Sequence, residues 1–278
     1  MKKVALIYDF DKTLCDRDMQ EYSLIPELGY DKPGLFWGEV DQIASSQHMD
    51  HIGAYLYLLM RKFAESGKPL TREAFDGIGN SIKLYPGVDT WFSRINAAAK
   101  ECGLEAEHYI ISSGMLEILE DTPIAGEFRK IYACSYYYDE NGYAVWPGRI
   151  VNYTTKTQFI FRINKQVLDE DNEADLNAWV PMKQRPIPFE RMIYIADGIT
   201  DVPCMRLVKM NGGRSIAVYN PQSAKAGLIA ERLLREGRAN FMAGCDYTKD
   251  STMEKLVKKI LLEMSAHAQL EDLEGIIQ

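Results

Sequence analysis

Short apolar runs rich in β-branched and aromatic residues recur along the chain, each closed by a turn and followed by a helical pattern. They are Val4–Tyr8, His108–Ile111, Arg129–Ala133, Met192–Ala196, Ser215–Tyr219 and the shorter Ala239–Met242. Unbroken apolar runs, rather than alternating ones, predict strands buried on both faces, as in a parallel sheet covered by helices. Helical spacing fits between them at Val88–Lys100, Met115–Glu120, Thr154–Leu168, Ala224–Arg235 and Met253–Met264. The pattern predicts an α/β protein with a doubly wound parallel sheet.

Residues 16–84 break this rhythm and contain no convincing strand. Within them Ile52, Tyr55, Leu56, Leu59, Met60 and Phe63 follow the i, i+3, i+4, i+7 spacing of an amphipathic helix. Gly67 and Pro69 end that helix, and Thr71 with Glu73 marks the start of another. The chain therefore reads as a core of residues 1–15 and 85–278, with residues 16–84 inserted after the first strand as a small helical cap. The cap would sit over the carboxyl end of the sheet; the alternative is a set of extra helices on the sheet's flank. Tyr136–Tyr138, Asn141-Gly142 and Tyr143–Val145 predict a hairpin. Residues 169–189, acidic and then proline-rich at Pro181, Pro186 and Pro188, predict a surface excursion.

Composition narrows the function classes. The 278 residues are 46% hydrophobic, with 32 basic against 40 acidic side chains and a formal net charge of -8. That supports a sizeable core and supplies no basic surface for counterion displacement, so no nucleic-acid partner is expected. The five cysteines are scattered and include no C-x-x-C pair, which argues against a disulfide framework or a thiolate zinc site and fits a reducing cytosol. Asp9 and Asp11 cut the first apolar run short, and no stretch approaches the ~18 uncharged apolar residues of a membrane span. A cytoplasmic protein without a membrane partner is the expectation; the pattern carries no signal for oligomeric state.

Four segments carry chemistry. Asp9-Phe10-Asp11-Lys12-Thr13-Leu14 follows the first strand directly, and carboxylates at the carboxyl end of a parallel strand stand where open α/β sheets place ligands. Residues i and i+2 of an extended chain point the same way, so Asp9 and Asp11 can flank one reacting group. Two such acids need a cation or a shared proton to offset their repulsion, and a hard divalent ion, Mg²⁺ above all, suits oxygen ligands. Taken singly, the pair could equally be a solvated turn capping a helix. Asp197-Gly198-Ile199-Thr200-Asp201 ends a second strand with acids, and two strands delivering acids to one edge form a metal-site pattern. Ser112-Ser113-Gly114 ends a third strand before a helix, which suits an anion site. Lys156 opens a helix, where its charge opposes the helix dipole and calls for a compensating anion.

In this order the four segments resemble the haloacid dehalogenase superfamily, and within it the phosphoserine-phosphatase-like branch. The resemblance takes in Asp9 to Leu14, the helical insertion, Tyr85-Pro86-Gly87, Ser112, the Asn141-Gly142 hairpin, Lys156 and Asp197 to Asp201. It implies that Asp9 attacks phosphorus and forms an aspartyl-phosphate, while Asp11 protonates the leaving oxygen and then activates water. It implies Mg²⁺ held by the Asp9 carboxylate, the Asp11 backbone carbonyl and Asp197, with Asp201 in support. Ser112 and Lys156 would hold the phosphoryl oxygens, with Ser113 and Gly114 in the same anion site and Thr13 organising the centre from behind. An acid at position 11 favours phosphate esters over halides, whose departure needs no proton.

The chain departs from the branch at Ala196 and Ser113, where glycines are usual, and at Asp18, where a glutamate meets the substrate's amine. Arg61 is the candidate to meet a substrate carboxylate. The start of the chain is equally similar to that of phosphocholine and phosphoethanolamine phosphatases. The expected partner is therefore a small phosphorylated metabolite, hydrolysed by a phosphatase. The alternatives are phosphoryl transfer to an acceptor alcohol and a non-catalytic relative that keeps the cleft for binding.

Overall fold

The computed structural model describes residues 1–277 and contains one seven-stranded sheet in the order β4-β3-β2-β1-β5-β6-β7. The strands are β1 (Lys2–Tyr8), β2 (Leu104–Met115), β3 (Lys130–Tyr138), β4 (Ala144–Arg149), β5 (Met192–Ala196), β6 (Arg214–Tyr219) and β7 (Phe241–Gly244). All neighbours pair in parallel except β3 and β4, which are antiparallel. Every residue of β5 and residues 4–8 of β1 are buried, so both faces of the central strands are covered, as their unbroken apolar runs require. The chain runs outward from β1 through β2 and β3 and then crosses back to β5 on β1's other side. That places the topological switch point at β1.

The helices Val88–Glu101, Lys156–Lys165, Val202–Met210, Ala224–Arg235 and Thr252–Ile277 accompany the sheet. The last is longer than its apolar pattern predicts. At the entry to Val88–Glu101, Gly87 has φ 81°, and a Cβ there would stand 2.5 Å from the Thr248 backbone nitrogen. Both the left-handed backbone and the close approach require glycine at that turn.

Between β1 and Val88 the chain forms two long helices, Pro33–Gln47 and His51–Glu65, with short turns on either side. Asp50 caps the second by accepting from the backbone nitrogens of Ile52 and Gly53 at 2.9 and 3.1 Å. Its buried face keeps Tyr55, Leu56 and Leu59 of the predicted spacing and adds Ala54 and Leu58, while Ile52, Met60 and Phe63 are half-buried. The two ends of the stretch meet: Cys15 and Leu84 form an antiparallel bridge, and the Tyr85 nitrogen donates to the Leu14 carbonyl at 2.9 Å.

Two local readings change. The predicted third strand and the first arm of the hairpin are one continuous strand, β3, which passes from parallel pairing with β2 to antiparallel pairing with β4. The connection between β3 and β4 is built around Asp139, whose side chain accepts from the nitrogens of Asn141 and Tyr143, both at 2.9 Å. Asn141-Gly142 forms part of that longer turn rather than a two-residue one. The 169–189 excursion holds a short helix, Glu173–Asn177, and returns to the core through buried Ile187 and Phe189.

Candidate active site

Strand register assembles the site. Tyr8 of β1 lies beside Ile110 of β2 and Ile195 of β5, so Asp9, Ser112 and Asp197 emerge together from three neighbouring strands. The Asp9 nitrogen donates to the Ile195 carbonyl at 3.0 Å, which carries the pairing one residue past β1. The chain then turns tightly, with Thr13 and Leu14 both donating to the Phe10 carbonyl at 3.1 and 2.8 Å. The Tyr247 hydroxyl braces the turn by donating to the Thr13 carbonyl at 2.8 Å. Lys12 occupies the left-handed region, φ 58°, which is uncommon for a side-chain-bearing residue.

Lys156, the first residue of its helix, is almost wholly buried. Its Nζ donates to Asp9 Oδ1 at 2.9 Å and to Asp201 Oδ1 at 2.7 Å. The same oxygen of Asp201 accepts from the Tyr194 hydroxyl at 2.6 Å, while Thr200 Oγ1 donates to the other at 3.1 Å. Asp9, Asp197 and Asp201 each offer a carboxylate oxygen, and the three atoms lie within 4.8 Å of one another.

The electrostatics follow from that packing. Burial pushes the Asp9 carboxyl up to about 6, with the Asp201 charge adding and Lys156 opposing. Asp197 is pushed well above the usual carboxylate range by burial, then by Asp9 and Asp201. For Lys156, burial works against the charge, but the carboxylates of Asp201 and Asp9 outweigh it and hold the lysine above its ordinary value. Three clustered acids face one buried lysine, so ionising all three calls for more positive charge than Lys156 brings. A hard divalent cation fits this all-oxygen donor set.

Asp11 turns away from that cluster. Its Oδ1 accepts from the Met19 backbone nitrogen at 2.7 Å, and burial, with Asp18 and Asp9 adding, raises its carboxyl well above the usual range. Ser112 Oγ is buried and accepts from the Gly114 nitrogen at 3.0 Å. The Ser113 carbonyl accepts from the Tyr55 hydroxyl at 3.2 Å. Gly114 lies under Met19: a Cβ there would stand 2.0 Å from Met19 Cε, and the Met115 nitrogen donates to the Met19 sulfur at 3.2 Å. Thr13 Oγ1 is buried without a hydrogen-bond partner among the described residues.

Asp18 pairs with the Lys12 ammonium, at 2.7 and 2.6 Å to its two oxygens. Arg61 is engaged elsewhere: its guanidinium pairs with Glu39 on the facing helix and with Glu65 at 3.2 Å. The structure thus brings Asp9, Lys156, Asp197 and Asp201 together, sets Asp11, Ser112, Ser113 and Gly114 beside the Met19 turn, and leaves Arg61 outside. Sequence reasoning missed Met19, Tyr55 and Tyr194, which bond Asp11, Ser113 and Asp201. Of these, Tyr194 had a signal, a polar tip inside an otherwise apolar strand.

The doubly wound sheet gathers three acids and a buried lysine at its switch point. Residues 6–206 match the haloacid dehalogenase-like hydrolase family, and the chain belongs to it. It is similar to an uncharacterised protein of Borreliella burgdorferi, 28% identical over 292 residues that cover 94% of this chain and 98% of the relative. Among solved structures it is similar to a haloacid dehalogenase-family hydrolase from Salmonella enterica serovar Typhi, with a TM-score of 0.57 and 17% identity over 94% of this chain and 72% of that one. A phosphoserine phosphatase in its apo form gives a TM-score of 0.56 and 14% identity, covering 92% of this chain and 98% of that one. At such identities the likeness is one of fold. Among the described residues no helix is long and apolar enough to cross a membrane.

Proposed function

We propose that the protein is a Mg²⁺-dependent phosphatase that hydrolyses a small-molecule phosphomonoester through an aspartyl-phosphate on Asp9. The observation that carries this reading is the Lys156 ammonium held between Asp9 and Asp201, which favours the ionised, nucleophilic form of a buried aspartate. Asp9 attacks phosphorus in line, the ester bond to the leaving oxygen breaks, and Asp11 gives that oxygen its proton. The Met19 N–H on Asp11 Oδ1 leaves the other oxygen to carry this proton, and the raised carboxyl favours the protonated form at the start. In the second step Asp11 takes a proton from water as the water attacks phosphorus, which releases phosphate and restores Asp9.

Ser112 and the backbone of Ser113 and Gly114 serve as the phosphoryl cradle. Asp9, the Asp11 carbonyl and Asp197 would hold Mg²⁺, which supplies the positive charge that offsets the acids and the transferring phosphoryl group. Asp201, already engaged by Lys156, Tyr194 and Thr200, positions the lysine. Residues 16–84 act as a cap over a core of residues 1–15 and 85–278. The test is phosphate release from a panel of phosphomonoesters, with and without Mg²⁺, by wild type and Asp9→Asn. Mg²⁺-dependent release that the variant loses is expected. Equal turnover by Asp9→Asn would end the nucleophile assignment.

A further inference from the structure

Gln20 follows Met19 in the short turn Met19–Glu21 and is 2% exposed. Nearby, the Tyr55 hydroxyl donates to the Ser113 carbonyl at 3.2 Å. The Gln20 Oε1 is buried and has no hydrogen-bond donor among the described residues. Such an acceptor is costly unless a ligand supplies the donor. Its surroundings belong to the leaving-group side of the centre: Met19, the preceding residue, holds Asp11 and covers Gly114.

The charge on this side is also informative. Asp18 is paired with Lys12, and Glu21 accepts from Trp37 Nε1 at 3.0 Å. The arginines of residues 16–84 are Arg17, Arg61 and Arg72, and all are engaged. Arg17 pairs with Asp16 at 3.0 Å, Arg61 with Glu39 and Glu65, and Arg72 lies over the Tyr138 ring. This stretch thus presents an unpaired acceptor, with its three guanidiniums engaged by Asp16, by Glu39 and Glu65, and by the Tyr138 ring.

We infer that Gln20 is a specificity-determining residue, and that the substrate is the phosphate ester of an alcohol bearing a neutral or cationic hydrogen-bond donor and no carboxylate. This rests on the phosphatase reading. It selects amino alcohols and polyols, and it disfavours phosphoserine and phosphoglycolate.

The experiment compares kcat/KM for ethyl phosphate, 2-hydroxyethyl phosphate, 2-aminoethyl phosphate and phosphoglycolate, on wild type, Gln20→Leu and Gln20→Glu. p-Nitrophenyl phosphate in the same assay reports the phosphatase reading separately. Wild type should prefer the two donor-bearing esters over ethyl phosphate by about tenfold or more, with phosphoglycolate last. Gln20→Leu should bring those ratios towards one, and Gln20→Glu should keep them while moving preference from hydroxyl to ammonium. Ratios within one preparation do not depend on its folded fraction. Ethyl phosphate matching the donor-bearing esters, ratios unchanged in Gln20→Leu, phosphoglycolate ranking first, or turnover confined to p-nitrophenyl phosphate would each overturn the assignment. Failure on every ester, p-nitrophenyl phosphate included, would overturn the phosphatase reading as well.

Discussion

Lys156→Met removes the one cation found between Asp9 and Asp201 while keeping most of the side chain's volume. The lysine makes two buried contacts at 2.9 and 2.7 Å. With an effective dielectric constant of 20, each is worth about 6 kcal/mol of gross attraction, most of it cancelled by the desolvation of the charges. Truncating one partner leaves the cancelling part behind, and such losses come to about 3–5 kcal/mol. For a chain of this size that is a fall in Tm of roughly 10 °C. Thermal melts of wild type, Lys156→Met, Asp201→Asn and the double variant measure it. The double variant should lose much less than the sum of the singles, because Asp201→Asn removes a charge that Lys156→Met strands. Mg²⁺ should recover part of the loss in Lys156→Met by serving as the missing positive charge. A Tm within 1–2 °C of wild type (roughly 1 kcal/mol or less), or additive losses, would refute the reasoning.

Other predictions concern residues around the centre. His108 is buried with its imidazole pushed down to about 3 from an ordinary 6.5, because burial disfavours the charged ring. The unfolded chain therefore takes up a proton near 6.5 that the folded protein refuses, so stability is held above 6.5 and lost as pH falls towards 3. At pH 5 the loss is about 2 kcal/mol. Asp9, raised from 3.8 to about 6, acts in the opposite sense, its contribution fading as pH rises through 6. The check is denaturant titration at pH 7 and pH 5, in which His108→Gln should lose less stability than wild type over that interval; equal losses would refute it. Gly114→Ala should cut kcat/KM by about tenfold or more, since its Cβ would strike Met19 Cε and Sδ at 2.0 and 2.5 Å. The double variant with Met19→Ala should recover part of that loss, and steady-state kinetics of the pair would show it.

The sheet was legible because its strands are apolar on both faces and its turns are sharp. The helix Pro33–Gln47 was not read, because only Phe36 and Val40 are buried along it while Leu35 is exposed, which leaves too narrow an apolar stripe. β3 was split in two because its apolar run gives way to Tyr136-Tyr137-Tyr138 where its partner changes. The acids and lysine of the centre were legible through local oddities: carboxylates after strands, and a cation opening a helix. Tyr55 carried no such mark. It has an ordinary place in a helical turn, and what distinguishes it is the backbone of Ser113 brought across from the sheet. Arg61 shows the converse, a plausible residue whose charge is taken by Glu39 from a helix the pattern did not reveal.

The bridge between Cys15 and Leu84, with Tyr85 bonded to Leu14, makes the two ends of the intervening stretch neighbours without its help. Closing a loop on ends already held together adds entropy that grows only logarithmically with length. Chain closure therefore places little demand on how many residues lie between, whereas Met19 on Asp11 and Tyr55 on Ser113 fix what that stretch must bring to the strand ends.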